Sequence, residues 1–283
     1  MQVALTIAES RARLAQENAI AFVPTMGNLH EGHLELMRRA REHGDCVVAS
    51  IFVNPLQFAP DEDFDRYPRT LESDCDKLQG LADVVFAPSI SEMYPELQKV
   101  FVELPRIADD LEGTTRPGHF RGMATVVLKL LNIVQPQAVL FGKKDYQQLH
   151  IIRQMVAQFD LPVSIIGCET VRAADGLALS SRNQYLSPLE RNEAVFLYQT
   201  LKAMRQAMLQ GERNVGRLRQ QAIEQLTGRG WSVDYVEVRN QSDLLPTIWN
   251  KPDPFQRDFV VLAAAGLGTT RLIDNIEVSF ADR

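Results

Sequence analysis

The residues with the clearest capacity for chemistry lie in one short segment, PTMGNLHEGH at positions 24–33. The apolar run AIAFV precedes it and a helical pattern follows, so the segment predicts a turn from a strand to a helix. Free N–H groups and the positive end of the helix dipole favour an anion at such a place. His30 and His33 can donate hydrogen bonds to phosphate oxygens there, and the glycines of the segment let phosphate approach the backbone. We therefore predict a phosphate-binding turn.

The two histidines also allow a structural interpretation, in which one caps the helix and the other lies on the surface. Their occurrence as an H-x-G-H pair directly after a strand favours the phosphate-binding interpretation over the structural one. A zinc protease site is excluded, because its helix carries H-E-x-x-H with the histidines four residues apart, whereas His30 and His33 are three apart.

Three weaker segments also follow predicted strands or a glycine. Gly142 to Asp145 open a helix after the strand AVLF, and a lysine at that place predicts a phosphate clamp or, equally well, a solvated turn. The loop Leu179–Asn183 offers two hydroxyls and Arg182, which can grip a triphosphate, although such turns are common on surfaces. Asn54 and Gln57 follow the second strand, where neutral amides suit a hydroxylated substrate and an Asn-Pro turn suits structure alone.

These segments need a scaffold, and the first half of the chain supplies strands alternating with helices. This alternation predicts a doubly wound parallel sheet, a Rossmann-like α/β fold that binds ligands beyond the carboxyl ends of its strands. The predicted strands are Ala19–Val23, Cys46–Val53, Val84–Phe86 and Ala138–Phe141, and the predicted helices are Gly32–Glu42, Pro68–Gln79, Met123–Val134 and Asp145–Gln158.

After about Val171 the pattern changes to that of a smaller α+β domain. The expected domains are 1–172 and 173–283, with a turn-rich connection before Pro188. The G-L-G-T-T-R run lacks the third glycine and the following helix of a dinucleotide fingerprint, so we predict a turn there. The predicted elements are helices at Pro188–Leu209 and Val215–Leu226 and strands at Ser232–Val238, Phe259–Ala264 and Arg271–Ile276.

Composition excludes several classes of protein. With 283 residues, 45% hydrophobic and 23% charged, the chain is neither disordered nor a coiled coil and is long enough for two domains. A net charge of −6 argues against a nucleic-acid-binding face. The three cysteines lie far apart, which suits a reducing compartment and no disulfide framework. No signal peptide and no long apolar run is found, so we expect a cytoplasmic protein that does not enter a membrane.

Together, the segments resemble the pantothenate synthetase (pantoate–β-alanine ligase) family over essentially the whole chain. The combination of PTMGNLHEGH with LALSSRN is far more specific than H-x-G-H alone. The carrying segments, in the order of the family, are PTMGNLHEGH, SIFVNPLQF with YPRTLESDC, RPGHFRGM, FGKKDYQQL, DGLALSSRNQYLS and RLIDN.

The resemblance implies a Rossmann-like domain that binds ATP and pantoate, a C-terminal lid domain and a homodimer. It implies an ATP-dependent ligase that adenylates the carboxylate of D-pantoate, releases pyrophosphate, and lets the amine of β-alanine displace AMP. ATP is then a substrate that arrives with Mg²⁺, and no organic prosthetic group is expected. No compact carboxylate cluster at the motifs identifies ligands for the metal ion.

The resemblance also implies roles for residues at matching positions. His33 is the expected catalytic proton donor, and Gln57 and Gln148 are expected to hold pantoate or β-alanine. Lys143 departs from the family, which often has an acidic residue there, and no role follows for RPGHFRGM beyond a structural one for His119. The residues expected to contact ATP are Met26, Gly27, Asn28, Leu29, His30, Glu31, Gly32, His33, Gly142, Lys143, Lys144, Asp145, Val171, Leu179, Ser180, Ser181 and Arg182.

Two other functions fit parts of the sequence. A nucleotidyltransferase that keeps the nucleotide in its product would share the H-x-G-H turn, but it does not require paired glutamines and would release no AMP. An RNA-binding relative of the class I aminoacyl-tRNA synthetases would also share that turn. The acidic balance of the chain and its lack of a basic appended domain count against that second alternative.

Overall fold

The computed structural model describes residues 1–60, 62, 64–247 and 258–280. The chain divides into two compact units, and each unit is formed from two segments that are separate in the sequence. The first contains Met1–Lys143 and Gln147–Val171, and the second contains Lys144–Tyr146 and Arg172–Arg283. Within the described residues, no helix has the length and apolar character needed to cross a membrane.

The elements alternate through the first unit and then change character in the second. The strands are β1 Gln2–Ala4, β2 Ile20–Thr25, β3 Cys46–Ile51, β4 Val84–Phe86, β5 Ala138–Gly142, β6 Ser164–Cys168, β7 Ser232–Asn240, β8 Asp258–Leu267 and β9 Thr270–Ser279. The helices are α1 Ile7–Leu14, α2 Glu31–Ala40, α3 Leu71–Leu78, α4 Ile90–Met93, α5 Glu112–Thr115, α6 His119–Val134, α7 Tyr146–Gln158, α8 Pro188–Glu193, α9 Val195–Leu209 and α10 Val215–Thr227.

The first unit is built on a six-stranded parallel sheet of order β1-β4-β3-β2-β5-β6. Its central strands are apolar on both faces because helices cover both. On β2, Phe22 belongs to the core beneath α6, whereas Ala21 and Val23 belong to the core beneath α2 and α3. The sequence-based prediction of a doubly wound parallel sheet is confirmed.

The structure contains five strands and α-helices that the sequence did not predict: β1, α1, α4, α5 and β6. β1 has three residues, and α1 buries only Ser10 and Leu14, so neither has a long apolar pattern. A capping box between Thr6 and Glu9 marks the start of α1 and is the sequence signal that was available. The N-terminus of α6 was also missed, since that helix begins at His119 rather than at the predicted Met123.

The second unit is a three-stranded antiparallel sheet of order β7-β8-β9 packed with α9 and α10. The predicted long helix is divided at Ala194 into α8 and α9. The predicted turn in G-L-G-T-T-R is confirmed, because β8 ends at Leu267 and β9 begins at Thr270.

A gap opens in the first sheet where its strand order reverses. β2 pairs with β3 on one side and with β5 on the other. The pairing of β2 with β5 covers only Ala21↔Ala138 and Phe22↔Val139, although both strands continue for three more residues. The two carboxyl ends therefore part, and a crevice of this kind is where open α/β sheets bind ligands.

The three cysteines are free thiols, and Cys46 and Cys168 are buried. Burial raises the pKa of Cys46 to about 11 and also raises the pKa of Cys75 and of Cys168. A raised thiol pKa leaves less of the reactive thiolate at a given pH.

We expect the native protein to react slowly with a thiol-specific chromogenic disulfide at pH 8. At a pKa of about 11, roughly one Cys46 thiol in a thousand is ionised at that pH. Half-buried Cys75 is expected to react first, and all three thiols should react rapidly in guanidinium chloride. Labelling of Cys46 in the folded protein at the rate of free cysteine would contradict this expectation.

Candidate active site

The turn after β2 is built on two consecutive left-handed residues. Gly27 has φ +85° and Asn28 has φ +51°, after which α2 begins at Glu31. A side chain at position 27 would be strained by the positive φ and tightly packed, because a Cβ there would lie 3.0 Å from a carboxylate oxygen of Asp74 and from a methyl carbon of Ile51. Glycine followed by asparagine suits this reversal, because these residues adopt the left-handed region at the least cost.

Both predicted histidines cap α2. The Nδ1 atom of His30 accepts a hydrogen bond from the Gly32 N–H at 3.1 Å, and Nδ1 of His33 accepts from the His30 N–H at 3.3 Å. The two half-buried rings lie against each other, with centroids 4.1 Å apart and planes 35° apart. Because each Nδ1 is an acceptor, the proton of each neutral ring is on Nε2. Capping thus sets the tautomer of both imidazoles as Nε2–H donors.

Sequence reasoning missed the residue that holds this turn, Asp74 of α3. Its carboxylate is completely buried, and it accepts hydrogen bonds from the N–H groups of Asn28 and Leu29, each at 2.8 Å. The Thr70 hydroxyl donates to the same carboxylate at 3.0 Å, and Lys77 donates to the Leu29 carbonyl at 2.9 Å. A signal was available, because Asp74 lies one helical turn before buried Leu78, on the face of α3 that should be apolar.

Gln57 lies beside the turn of residues 26–33. A short 3-10 helix, Pro55–Gln57, follows β3, and the Gln57 side chain is buried with Nε2 3.2 Å from the sulfur of Met26. Asn54 donates to the Gln57 side-chain oxygen at 3.1 Å and accepts from the Tyr94 hydroxyl at 2.8 Å. Burial raises the pKa of the Tyr94 phenol, so it remains a donor. The structure therefore brings Gln57 and Met26 together and fixes the Gln57 amide from one side.

The RPGHFRGM segment supports the turn that carries Gln57. Nδ1 of buried His119 donates to the Gln57 carbonyl at 2.8 Å, and Nε2 accepts from Arg116 at 3.0 Å. Arg116 also pairs with Glu62 at 2.6 Å. Gly122 packs directly on the backbone of this turn, where a Cβ would lie 1.9 Å from the Leu56 carbonyl oxygen.

The two neighbouring glutamines of α7 differ in their surroundings. Gln147 is buried, and its amide bonds to the Ile107 and Asp110 carbonyls at 2.6 and 2.8 Å and to the Glu112 N–H at 3.1 Å. Gln148 is half-buried, and no group of the described residues bonds to its amide. Gln147 is thus committed to structure, whereas Gln148 retains its hydrogen-bonding capacity.

The Gly142–Asp145 segment passes from one unit to the other. Lys143 pairs with Glu169 at 2.6 Å in the first unit. Lys144 is half-buried and belongs to the second unit, where Asn275 donates to its carbonyl at 2.9 Å. Its ammonium group lies 4.0 Å from the carboxylate of Asp145. The backbone of the predicted charged turn is therefore held by a hydrogen bond from Asn275 of β9.

The remaining predicted residues flank the connection between the units. Val171 follows β6 in the first unit, and the loop 179–182 belongs to the second. Ser180 caps a short 3-10 helix, Ser181–Tyr185, by accepting from the Arg182 N–H at 3.3 Å. Arg191 holds the preceding bend by pairing with Asp175 at 2.7 Å.

Comparison with known proteins identifies the family. The family model described as Pantoate-beta-alanine ligase matches residues 2–277. The chain belongs to this family. A relative named pantothenate synthetase from Nitrosospira multiformis is 56% identical over 281 residues, which covers 99% of each protein. The chain is therefore an enzyme of pantothenate biosynthesis, a ligase of the pantoate–β-alanine type.

Solved structures give the same family. The crystal structure of pantothenate synthetase from Thermus thermophilus is 45% identical, with a TM-score of 0.92 and coverage of 99% of this chain and 100% of that one. The pantoate–β-alanine ligase of Francisella tularensis, described as complexed with β-γ ATP and β-alanine, is 35% identical with a TM-score of 0.79, covering 98% of this chain and 97% of that one.

The close packing of Gly122 against the Leu56 carbonyl leads to a prediction about the stability of this ligase. Gly122→Ala would place a methyl group against the Leu56 carbonyl, so the turn that carries Gln57 must move. We expect a fall in melting temperature equivalent to about 1–3 kcal/mol of overpacking, measured by calorimetry.

Gly216→Ala in α10 is the matched control, because its Cβ would have only an ordinary 3.5 Å contact with Asn214. That helical substitution should leave the melting temperature unchanged or raise it. Equal melting temperatures for the two variants would show that the Gly122 contact does not constrain the turn.

Proposed function

We propose that this ligase joins D-pantoate to β-alanine in two steps through a pantoyl adenylate. In the first, a pantoate carboxylate oxygen attacks the α-phosphorus of ATP, forming a P–O bond as the bond to pyrophosphate breaks. In the second, the amine of β-alanine attacks the acyl carbon, a C–N bond forms as the C–O bond to AMP breaks, and the proton of the amine passes to solvent. The products are pantothenate, AMP and pyrophosphate.

The observation that carries this proposal is the pair of Nε2–H imidazoles at the N-terminus of α2, beside the crevice between β2 and β5. A carboxylate that attacks phosphorus requires no protein nucleophile. It requires alignment and neutralisation of the charge that develops on the phosphate oxygens. Two neutral donors directed by backbone hydrogen bonds meet that requirement, and the dipole of α2 adds to it.

His33 is the proposed catalytic donor, which gives a hydrogen bond from its neutral Nε2–H to the phosphate oxygens, and His30 is a second donor of the same kind. The residues 26–33, 142–145, 171 and 179–182 are proposed to bind ATP, Lys144 and Arg182 as cations and the two serines as hydroxyl donors. The relative from Francisella tularensis described as complexed with β-γ ATP and β-alanine supports these substrates for the present chain.

Gln57 and Gln148 are proposed to hold the acid substrate. Pantoate carries two hydroxyls, a carboxylate and a gem-dimethyl group, so neutral amides beside apolar surface match it. The half-buried amide of Gln148 supports this role, as does the position of Gln57 against Met26. A largely apolar cavity of about 280 Å³, lined by Met26, Ile51 and Phe52 among others, provides apolar surface next to the turn.

Mg²⁺ is proposed to arrive with ATP. Within the described residues, no group of three or more histidine, cysteine, aspartate or glutamate side chains could enclose a metal ion. Mg²⁺ on a nucleotide needs few protein ligands, because phosphate oxygens and water supply most of its coordination. When bound, it would neutralise charge on the phosphates. No organic prosthetic group is proposed.

The same proposal includes a homodimer, a cytoplasmic location, no nucleic-acid partner, and domains at 1–172 and 173–283. The division into two compact units supports the domain boundary, apart from the Lys144–Tyr146 segment, which groups with the C-terminal unit.

The decisive experiment is exchange of labelled pyrophosphate into ATP. We expect exchange that depends on D-pantoate and not on β-alanine, because the adenylate forms before the amine reacts. Addition of β-alanine should then release free AMP in an amount equal to pantothenate. Exchange that requires β-alanine would contradict the stepwise route, and a product that retains the nucleotide would indicate a nucleotidyltransferase.

His33→Ala should slow pantoate-dependent exchange by about 10²–10³-fold, the usual effect of removing one preorganised donor. His43→Ala is the matched control, since His43 is an exposed histidine just after α2. The control should exchange at the rate of the unmodified enzyme, and both variants should keep its circular dichroism spectrum. Full activity in His33→Ala would remove this residue from the mechanism.

A further inference from the structure

We propose that Thr70, Asp74 and Lys77, here called the α3 clamp, are positioning residues that set the geometry of His30 and His33. This inference deepens the proposed function and rests on it, since the effect is measured on adenylate formation. None of the three residues is among those assigned to a substrate.

The clamp binds the backbone of the turn from one face of one helix. Both oxygens of the Asp74 carboxylate are occupied, Oδ1 by the Leu29 N–H and Oδ2 by the Asn28 N–H and the Thr70 hydroxyl. Lys77 donates to the carbonyl of Leu29. Three backbone polar groups of two consecutive residues are therefore bonded to α3.

A buried carboxylate at this place has a physical reason. Because Gly27 and Asn28 are both left-handed, the turn presents adjacent N–H groups that no sheet or helix satisfies. A carboxylate can accept from both, whereas an amide of the same shape can accept on only one oxygen. Lys77, whose ammonium lies 3.9 Å from the Asp74 carboxylate, partly offsets its charge.

The clamp acts on the histidines through the chain. Leu29 directly precedes His30, the N-cap of α2, and the His30 N–H is the donor that orients the His33 ring. A shift of the Leu29 backbone moves the cap and both imidazoles together. The clamp occupies the N–H groups of Asn28 and Leu29, and the capping box occupies those of His30 and Gly32, so the backbone on both sides of the cap is held.

The test compares Asp74→Asn with Asp76→Asn in pantoate-dependent pyrophosphate exchange. Asp76 is an exposed carboxylate on the same helix and is the matched control. We expect the kcat of exchange to fall by about 10²-fold in Asp74→Asn, the effect of a misplacement of about 1 Å. The KM for pantoate should stay within about twofold, and Asp76→Asn should match the unmodified enzyme.

A second readout reports the geometry without turnover. Nitrogen-15 spectra of the imidazoles distinguish Nε2–H from Nδ1–H, and we expect Asp74→Asn to lose the single Nε2–H state of His30 and His33. Retention of both tautomers together with the normal kcat would overturn the proposal. A fall in kcat together with an equal-fold rise in the KM for pantoate and unchanged tautomers would overturn the proposal too, since that pattern indicates general destabilisation.

Lys77→Met covers the case in which Asp74→Asn does not fold. Lys77 is 40% exposed in its side chain, so its loss should be tolerated, with an expected several-fold fall in kcat and the same tautomer change. An unchanged kcat and unchanged tautomers in Lys77→Met would then overturn the proposal. Absence of exchange in the unmodified enzyme would instead contradict the proposed function and leave the tautomer measurement to decide on the clamp.

Discussion

The separation of β2 from β5 is the constraint on which the rest of the first unit depends. Their pairing ends at Phe22↔Val139, and each strand continues for three residues without the other. One side of the gap carries the left-handed turn and the capped histidines, and the other carries Gly142 and the residues that follow it. A sheet hydrogen-bonded to its ends would leave no crevice between these segments.

Each of three buried polar side chains around the crevice bonds to at least one backbone group. Asp74 bonds to the N–H groups of Asn28 and Leu29, His119 bonds to the Gln57 carbonyl, and Asn54 accepts from the Leu56 N–H. Each such group would be costly to bury without a partner, and each instead satisfies backbone groups that no regular element satisfies. An enzyme without a covalent nucleophile depends on the placement of its hydrogen-bond donors. Buried hydrogen bonds that fix the backbone carrying those donors therefore agree with the proposed chemistry.

Much of the fold could be predicted from the sequence, because the central strands are apolar runs of the right length and the turns between them carry glycine and proline. Short elements with mixed polarity are harder to predict, because their stability comes from packing rather than from pattern: β1 has no signal, and α1 has only its capping box. The histidine turn was recognisable from residue types. The burial of Asp74 had a signal in the helical pattern of α3, but its partner had none, because Asp74 lies more than forty residues from Asn28 along the chain and only the fold brings them together. His119 shows the same limit, since its partner is a backbone carbonyl, which carries no signature in a sequence.

The assignment of Lys144–Tyr146 to the second unit has a consequence for how the chain can be recombined. The chain passes between the two units three times, at residues 143/144, 146/147 and 171/172, and not once. Asn275 and Glu277 of β9 hold the Lys144 carbonyl and the Tyr146 hydroxyl. A chimera of two relatives joined near residue 172 would inherit the lysine from one parent and its backbone support from the other. A chimera should therefore keep Lys144 in place when residues 144–146 and β9 come from the same parent, wherever the junction in the linker lies.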